Sequence, residues 1–281
     1  MRSWSRLVTY IVKITIIAIS ISAVAVLFLK CLPREVHLHG LLVDLELRDP
    51  DPSRYPELRE ALTQRIPPCV PIRGSLRVTM DYCHFSEIDP NCFKTEYYDF
   101  LVLSPQGTPW HRYRDPYEAK LRGLKELVQR VAMDHKLPVL GICGGHQFMA
   151  LAFGGTVGFI DPKFEALPMD HYPKEARAER GVVSLTTLRD DPIFSGITTH
   201  PGSFAVMESH YEEVKTIPPP FVNLARSEMS EIQLIRIPGQ IVYGTAFHPE
   251  RGWSSDGQPL ASSGKQILTN FLKMVVVHKR P

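Results

Sequence analysis

The order of apolar and polar residues predicts a chain in which strands alternate with helices. Residues 98–104 and 137–142 are apolar almost throughout, which is typical of parallel strands that are covered on both faces. Between them, residues 115–135 repeat leucine and valine at helical spacing, and residues 144–153 predict a second helix. This alternation indicates an α/β fold with a mostly parallel wound sheet that is flanked by helices.

The helix predicted over residues 115–135 carries its own start signal. Asp115 is expected to be the N-cap, Pro116 the first helical residue and Glu118 the closing residue of a capping box. Its apolar face carries Leu124, Leu127, Val128 and Val131. We expect this face to pack on the sheet.

The regions on either side predict further elements. Upstream, residues 36–46 and 76–82 predict strands, and residues 55–65 predict a short helix. Downstream lie five shorter predicted strands and a closing helix, over residues 181–188, 204–211, 221–226, 233–237, 240–247 and 262–276. The last two of these strands are joined by Pro238-Gly239 and predict a hairpin. We therefore expect a short antiparallel region added to the parallel sheet.

The first residues of the chain predict a membrane anchor. Residues 7–29 are apolar apart from Lys13 and a few hydroxyls, and as a helix they would cover roughly 35 Å, enough for a bilayer core of about 30 Å. A cleaved signal peptide is the alternative, but the apolar run ends without a small-residue cleavage site, which favours an uncleaved transmembrane helix. Two regions follow: residues 1–35 as anchor and linker, and residues 36–281 as one α/β domain. Basic residues nearly match on the two sides of the run, so charge does not decide its orientation.

Composition excludes several classes of function. Formal charge is nearly balanced, with 32 basic and 30 acidic side chains and no basic run, so no nucleic-acid partner is expected. The five cysteines are an odd number in a large chain, which argues against a disulfide scaffold. Cys83 and Cys92 with His84 lack the paired spacing of a zinc site, so no metal is expected. The two cysteines are expected to be buried thiols, although a bridge between them, or one using Cys69, is open to an exported domain.

A thiol lies where the apolar strand 137–142 turns directly into a helix. Such a turn makes the side chain of Cys143 stand clear of the backbone, and it requires small residues two positions away, which Gly141 and Gly145 supply. The helix that begins near Gly144 would lower the pKa of a thiol at its first turn and could bind an oxyanion. Cys143 is therefore predicted to be a nucleophile rather than a buried apolar side chain.

A thiol nucleophile requires a base, and the base requires a group that orients it. His248 and Glu250 follow a predicted strand, and in extended backbone residues i and i+2 project to the same side. The pair is a weak signal by itself. Together with Cys143 it predicts a Cys-His-Glu catalytic triad.

Three segments together resemble the signatures of class I glutamine amidotransferase domains. They are Gly141-Ile-Cys-Gly-Gly-His-Gln147, Ala246-Phe-His-Pro-Glu250 and Leu103-Ser-Pro-Gln-Gly-Thr-Pro109. Residues 208–211 and 191–196 are also similar to segments of this family, so the resemblance covers about residues 41–272. It implies a flavodoxin-like sheet and no cofactor.

The resemblance also implies a role for each residue of the site. Cys143 would attack the side-chain amide of glutamine to give a γ-glutamyl thioester, with His248 moving protons and Glu250 holding His248. The oxyanion would be bound by the amides of Gly107 and Gly144. Glutamine would be positioned by Gln147 and by the backbone of Ser209, His210 and Tyr211. Only one glycine of the usual oxyanion loop is present, and His146 is expected to pack behind the site.

Three functions are compatible with these residues. The first is hydrolysis of glutamine with release of ammonia to a separate synthase subunit, since no segment resembles a synthase domain. The second is hydrolysis of γ-glutamyl amides or peptides, and the third is ligand binding by a membrane-tethered domain without turnover. A cytoplasmic location of the catalytic domain is expected because free glutamine and reducing conditions are found there.

Overall fold

The computed structural model describes residues 35–63, 75–164, 177–199, 201–251 and 262–279. The chain divides into two compact units, one of residues 1–36 and 65–76 and the other of residues 37–64 and 77–281. Nearly all of the first unit lies outside the described residues. The architecture that follows is that of the second unit.

Eleven strands are found within the described residues. They are β1 (Val36–Asp44), β2 (Leu76–His84), β3 (Phe100–Leu103), β4 (Val139–Ile142), β5 (Thr156–Phe159), β6 (Glu179–Thr187), β7 (Ser203–His210), β8 (Glu212–Thr216), β9 (Val222–Arg226), β10 (Leu234–Arg236) and β11 (Val242–Thr245). Nine of them form one sheet in the order β2-β1-β3-β4-β11-β10-β9-β6-β7, and β5 pairs with β8 in a second, antiparallel sheet. The strands β5 and β8 are not predicted by the sequence pattern.

The large sheet is mixed rather than mostly parallel. The pairs β1/β3, β3/β4 and β4/β11 are parallel, whereas β11/β10, β10/β9, β9/β6 and β6/β7 are antiparallel. The predicted hairpin of β10 and β11 is confirmed, but the antiparallel half is larger than expected. The reason is that β6, β7 and β9 join the same sheet beside this hairpin, and a strand pattern does not specify its partner.

Helices cover the two faces of the sheet. They are α1 (Pro56–Thr63), α2 (Tyr117–Met133), α3 (Gly144–Ala152) and α4 (Ser262–Lys279). The apolar face predicted for α2 is buried in one cluster with Leu101 of β3. The neighbouring Phe100 points to the opposite face, where its ring meets that of Phe271 in α4 at 5.9 Å. The wrapped α/β arrangement predicted by the sequence is confirmed.

The start of α2 differs from the prediction. The helix begins at Tyr117, Pro116 occupies the N-cap position, and no side chain caps the helix. The reason is a preceding turn in which the amide of Tyr117 donates to the carbonyl of Arg114 at 2.9 Å. Asp115 is therefore part of this turn and is not a cap.

The predicted anchor, residues 7–29, lies outside the described residues. Among the helices that the structure does describe, none combines the length and the apolar character needed to cross a bilayer. Cys83 is half-buried and Cys92 is exposed, and both are free thiols. The bridge between them that the sequence left open is not formed.

Candidate active site

Cys143 lies in the abrupt turn between β4 and α3. It occupies the N-cap position of α3 with φ of 50° and ψ of −102°, a left-handed value that is rare for a residue with a side chain. Its amide donates to the carbonyl of Thr245 in the neighbouring strand β11 at 2.8 Å, which helps to hold the turn. The side chain is about 5% exposed. Such strained turns at the carboxyl end of a strand are typical of nucleophiles.

The glycines on either side of this turn have a steric role. A Cβ atom on Gly145 would collide with the carbonyl group of Leu103 in β3, and one on Gly141 would come within 2.6 Å of the carbonyl carbon of Gly145. The helix can approach β3 and β4 only because both side chains are absent. This agrees with the small residues expected two positions before and after Cys143.

His248 and Glu250 follow β11, which is the parallel neighbour of β4. The thiol of Cys143 is hydrogen-bonded to His248, and His248 Nδ1 lies 2.8 Å from Glu250 Oε1. The backbone here is a turn, closed by the amide of Arg251 on the carbonyl of His248 at 3.1 Å, and not the extended segment that was expected. Proline at the second position of such a turn is favourable, so Pro249 still fixes the geometry.

The electrostatics of this group favour a protonated histidine. Burial alone would lower the pKa of His248, but the charges of Glu250 and Cys143 and the hydrogen bonds to both raise this pKa to about 10. The protonated imidazole of His248 therefore lies as a proton donor beside the sulfur of Cys143. The group can therefore supply a nucleophile and a proton donor at neutral pH.

A pocket opens beside Cys143 and His248. Its lining includes the expected substrate residues Gln147, Ser209, His210 and Tyr211, and also Glu46, Arg48, Arg54, Tyr55, Pro105, Gln106, Gly107, Glu212 and Arg251. The structure thus brings the residues named from the sequence to one place. It also adds acidic and basic side chains that the sequence did not single out.

Gln147 braces one wall of this pocket. Its Oε1 accepts from Trp110 Nε1 at 2.8 Å, and its Nε2 donates to the carbonyl of Glu212 at 2.7 Å. The oxygen keeps a second lone pair that a ligand N–H could use. Its expected role in positioning glutamine stays a prediction.

Glu212 is a pocket residue that sequence reasoning missed. Burial raises the pKa of its carboxyl to about 7, although a hydrogen bond from the Trp110 backbone opposes the shift. The sequence contains one signal for this residue, which is the alternation of Glu208, His210 and Glu212 along the chain. The structure shows that all three are buried. Polar residues at successive inward-facing positions indicate a site rather than a core.

His210 lies in a buried cluster of ionisable groups behind the pocket. Its Nδ1 lies 2.9 Å from the carbonyl of Glu212, and its Nε2 lies 3.1 Å from Glu179 and 3.1 Å from Glu208. Burial alone would lower the pKa of His210, but the hydrogen bonds to Glu179 and Glu208 and the charge of Glu208 raise it well above its ordinary value. A carbonyl oxygen can only accept, so Nδ1 carries a proton, and the two carboxylates favour a second proton on Nε2.

The same three side chains are the candidate for a metal site among the described residues. One ligand atom from each lies within 4.8 Å of the others, a spacing that a cation could bridge. An imidazolium between two carboxylates accounts for the same geometry, and it leaves no free histidine lone pair for a metal. We therefore assign the cluster to an internal ion pair.

The loop after β3 places Gly107 in an unexpected contact. Its amide, expected to bind an oxyanion, already donates to Glu46 Oε2 at 2.6 Å. The Thr108 hydroxyl donates to the other oxygen of the same carboxylate. In this conformation the Gly107 N–H is not open to a substrate, because a charged acceptor occupies it. Gly144 begins α3, where helix geometry leaves N–H groups without intrahelical acceptors.

His146 lies behind the catalytic turn, as expected. It is almost completely buried against Gly244 of β11, where a Cβ atom would lie 2.9 Å from its Nδ1. Burial lowers the pKa of His146 to about 3, so the ring is neutral. It packs between the helix and the sheet.

Comparison with known proteins identifies relatives of this chain. Residues 74–269 match the family described as glutamine amidotransferase class-I. The chain is 36% identical over 141 residues to a subunit of the glutamine-hydrolyzing GMP synthase of Pyrococcus abyssi, which is 50% of this chain and 62% of the relative. It is 33% identical over 144 residues to the same subunit of Methanocaldococcus jannaschii, covering 51% and 63% of the two chains. The matches thus span less than two thirds of these relatives.

Solved structures show the same fold at lower identity. A glutamine amidotransferase from Thermotoga maritima superposes with a TM-score of 0.53 at 18% identity, over 88% of this chain and 87% of that one. Another, from Methylobacillus flagellatus, superposes with a TM-score of 0.54 at 15% identity, over 85% and 95% of the two chains. At these identities the likeness concerns the fold.

Proposed function

Because the chain belongs to the class I glutamine amidotransferase family, we propose that it hydrolyses the side-chain amide of glutamine and releases glutamate and ammonia. One observation carries the proposal: the thiol of Cys143, at the N-terminus of α3, is hydrogen-bonded to a histidine that Glu250 holds protonated. This is the arrangement that a thiol nucleophile needs at neutral pH.

The reaction follows from these groups. Cys143 Sγ attacks the amide carbon, and a C–S bond forms as the carbonyl becomes a tetrahedral oxyanion. His248 gives its proton to the leaving nitrogen, the C–N bond breaks, and ammonia departs from a γ-glutamyl thioester. Water then attacks the thioester, with His248 accepting its proton. Collapse of the second tetrahedral species breaks the C–S bond, releases glutamate and restores the thiolate–imidazolium pair.

The pocket provides groups for each end of glutamine. The oxyanion lies near the Gly144 amide, where the dipole of α3 adds positive potential. The amino acid end meets Gln147 and the backbone of residues 209–211. The carboxyl of Glu212 is suited to the α-amino group, because it lies in a buried wall of the same pocket and is an anion above its pKa of about 7.

The fate of the ammonia points to a partner. The two archaeal relatives are each one subunit of a glutamine-hydrolyzing GMP synthase. We infer that this chain likewise delivers ammonia to a separate synthase subunit. Arg48 and Arg251 are exposed to the same pocket as Cys143, and we propose that the partner docks beside them.

We also propose that residues 7–29 anchor the domain in a membrane, with the catalytic domain on the cytoplasmic side. The support is the apolar run of that segment and the need for free glutamine and a reduced thiol. Protease protection of the full chain in sealed vesicles tests it. In right-side-out vesicles the domain would face the interior, so we expect the protease to cleave it only after the vesicles are opened. Cleavage in intact vesicles would contradict the orientation.

Hydrolysis of γ-glutamyl peptides is the second candidate. It is favoured by Arg48, Arg54 and Arg251, which line the pocket and could accept the carboxylate of a residue beyond the scissile bond. Arg54 is already paired with Asp44, and Arg251 lies 3.4 Å from Glu57, so this positive charge is partly compensated. We therefore place glutamine first.

A substrate panel tests the proposal with the full chain. Glutamine, γ-glutamyl dipeptides and γ-glutamyl-p-nitroanilide are compared for wild type, Cys143→Ala and the control Cys92→Ala, which removes an exposed thiol. We expect wild type and Cys92→Ala to release glutamate and ammonia in equal amounts from glutamine, and Cys143→Ala to release neither. Preference for the dipeptides would favour the second candidate. Equal turnover by wild type and Cys143→Ala would refute both.

A further inference from the structure

The loop after β3 is fixed by a carboxylate that no part of the proposed mechanism uses. Glu46 follows β1 and is about 5% exposed. Its Oε2 accepts from the Gly107 amide at 2.6 Å, and its Oε1 accepts from the Thr108 hydroxyl and from the Leu47 amide at 3.0 Å. Both oxygens are thus engaged, and two of the donors belong to one loop.

The backbone of Glu46 is fixed by hydrogen bonds at its amide and at its carbonyl. Its amide donates to Asp44 Oδ1 at 2.9 Å, and its carbonyl lies 2.7 Å from His84 Nε2. Asp44 is completely buried and also receives hydrogen bonds from Tyr55 and Tyr82. A carboxylate fixed in this way can define the position of the loop.

The other end of the loop is fixed at Pro105. Its carbonyl accepts from the hydroxyl of Tyr55 at 2.8 Å and from that of Ser104 at 2.7 Å. The bond from Pro105 to Gln106 is a trans peptide, in which the N–H points away from the C=O. Fixing the Pro105 carbonyl therefore also fixes the direction of the Gln106 N–H.

That N–H lies beside the catalytic turn. The Gln106 nitrogen is 2.9 Å from the position that a Cβ atom on Gly144 would take, and Gln106 and Cys143 line the same pocket. Within the part of the chain that the structure describes, the Gln106 amide has no hydrogen-bond acceptor. The Gln106 N–H is thus a hydrogen-bond donor next to the nucleophile, and the loop is fixed by hydrogen bonds before and after it.

We propose that Glu46 is a positioning residue that fixes residues 105–108 so that the amide of Gln106, together with that of Gly144, binds the oxyanion. The inference rests on the proposed function and deepens it, because it moves the second donor from Gly107 to Gln106. The carboxylate supplies by hydrogen bonding the loop geometry that a second glycine would otherwise allow. The Gly107 amide instead stabilises the loop through its hydrogen bond to Glu46.

Substitution of Glu46 tests the positioning role. Glu46→Ala should lower kcat for glutamine by about 10- to 100-fold and leave KM within about twofold. The displaced Gln106 N–H would weaken binding of the oxyanion in the transition state, whereas ground-state binding of glutamine does not depend on it. Glu46→Gln keeps one acceptor oxygen and should recover part of the loss. Alkylation of Cys143 by iodoacetamide forms no oxyanion, so its rate should stay within about twofold. Glu60→Ala, an exposed glutamate on α1, is the control.

Substitution of Gln106 tests the donor. Gln106→Ala keeps the backbone N–H and should retain kcat within about threefold, whereas Gln106→Pro removes it and should lose about 10²- to 10³-fold. Circular dichroism and the Cys143 alkylation rate of each variant report whether the site is still folded. A misfolded variant would lose both, unlike a variant that lacks only the donor.

The outcomes separate this inference from the proposed function. Wild-type kcat in Glu46→Ala, or equal kcat in the two Gln106 variants, overturns the inference while glutamine hydrolysis stands. An inactive wild type, equal to Cys143→Ala on glutamine and on γ-glutamyl-p-nitroanilide, overturns the proposed function and the inference together. A selective loss of kcat in Glu46→Ala and Gln106→Pro supports both.

Discussion

His248 Nδ1 lies 2.8 Å from Glu250 Oε1, and the same imidazole is hydrogen-bonded to the thiol of Cys143. All three side chains are more than nine-tenths buried. A buried carboxylate this close raises the pKa of the histidine and keeps it protonated beside the sulfur of Cys143. Removal of the Glu250 carboxylate should therefore make His248 easier to deprotonate and lower the catalytic activity of Cys143.

Glu250→Gln is expected to lower kcat by on the order of 10²-fold or more, because the amide no longer stabilises the imidazolium. The pKa of His248 should fall from about 10 toward its ordinary value. The imidazolium is then lost at a lower pH, so alkylation of Cys143 at pH 7 to 9 should slow. Rates of iodoacetamide labelling as a function of pH, followed at Cys143 by peptide mass spectrometry, measure this.

Glu213→Gln is the matched control, because among the residues that the structure describes the side chain of Glu213 is paired with Lys215 and with no other charged group. It should leave kcat and the labelling profile unchanged. A wild-type labelling profile in Glu250→Gln would contradict the role assigned to the carboxylate.

The parts of this site that follow from the sequence are the local ones. The turn at Cys143 is encoded within residues 139–152 by a short apolar strand, a helix and the glycines Gly141 and Gly145, so its geometry follows from neighbouring positions. His248 and Glu250 are two residues apart, and Pro249 restricts how they can lie. Their approach to Cys143 follows once β4 and β11 are taken as parallel neighbours, because parallel strands end at one edge.

The parts that did not follow are contacts between distant segments. Glu46 and Gly107 are 61 residues apart, and nothing near Glu46 in the sequence marks it as a partner of the loop. The placement of β6, β7 and β9 depends on sheet pairing, which side-chain alternation does not specify. β8 was missed because its residues are mostly charged or polar, although the alternation of buried positions continues into it from β7.

Glu212→Gln tests the role of the pocket carboxyl in substrate binding. If ionised Glu212 binds the α-amino group of glutamine, KM should rise about tenfold or more in the variant while kcat changes less. In wild type, KM should rise as the pH falls below about 7, where the carboxyl gains its proton. Steady-state kinetics between pH 5.5 and 8.5 measure both. A wild-type KM in the variant would exclude this role.

The same substitution has an effect on stability with a defined sign. Glu212 has a pKa of about 7 in the folded chain and 4.5 as a reference, so the folded state binds more protons between these values. The free energy of unfolding of wild type should therefore fall as pH rises from about 4.5 to 7. Glu212→Gln lacks this loss and should be more stable than wild type at pH 8 by on the order of 1–3 kcal/mol. Urea unfolding at pH 5 and pH 8 compares them.

The buried cluster of His210 predicts an asymmetry between its members. His210→Gln leaves Glu179 and Glu208 facing each other without a cation, which should destabilise the fold by about 3–5 kcal/mol. Glu208→Gln should change stability by about 1 kcal/mol or less, because burial already raises the pKa of this carboxyl and Glu179 remains beside His210 as its counter-ion. Urea unfolding measures both variants. Equal destabilisation by the two substitutions would show that His210 is not the cation of the cluster.

Gly145→Ala tests the steric basis of the nucleophile turn. The added Cβ atom would collide with the carbonyl group of Leu103, which belongs to β3 and cannot rotate away as a side chain can. The helix must shift from the strand, so we expect a loss of unfolding free energy of about 1–3 kcal/mol and a lower rate of Cys143 alkylation. Gly181→Ala is the comparison, because its Cβ atom meets nothing within 4 Å but its φ of 80° is strained. That variant should lose about 1 kcal/mol and keep the alkylation rate. Thiol reactivity that falls in both variants would mean that general loosening of the fold, and not contact between α3 and β3, sets the position of Cys143.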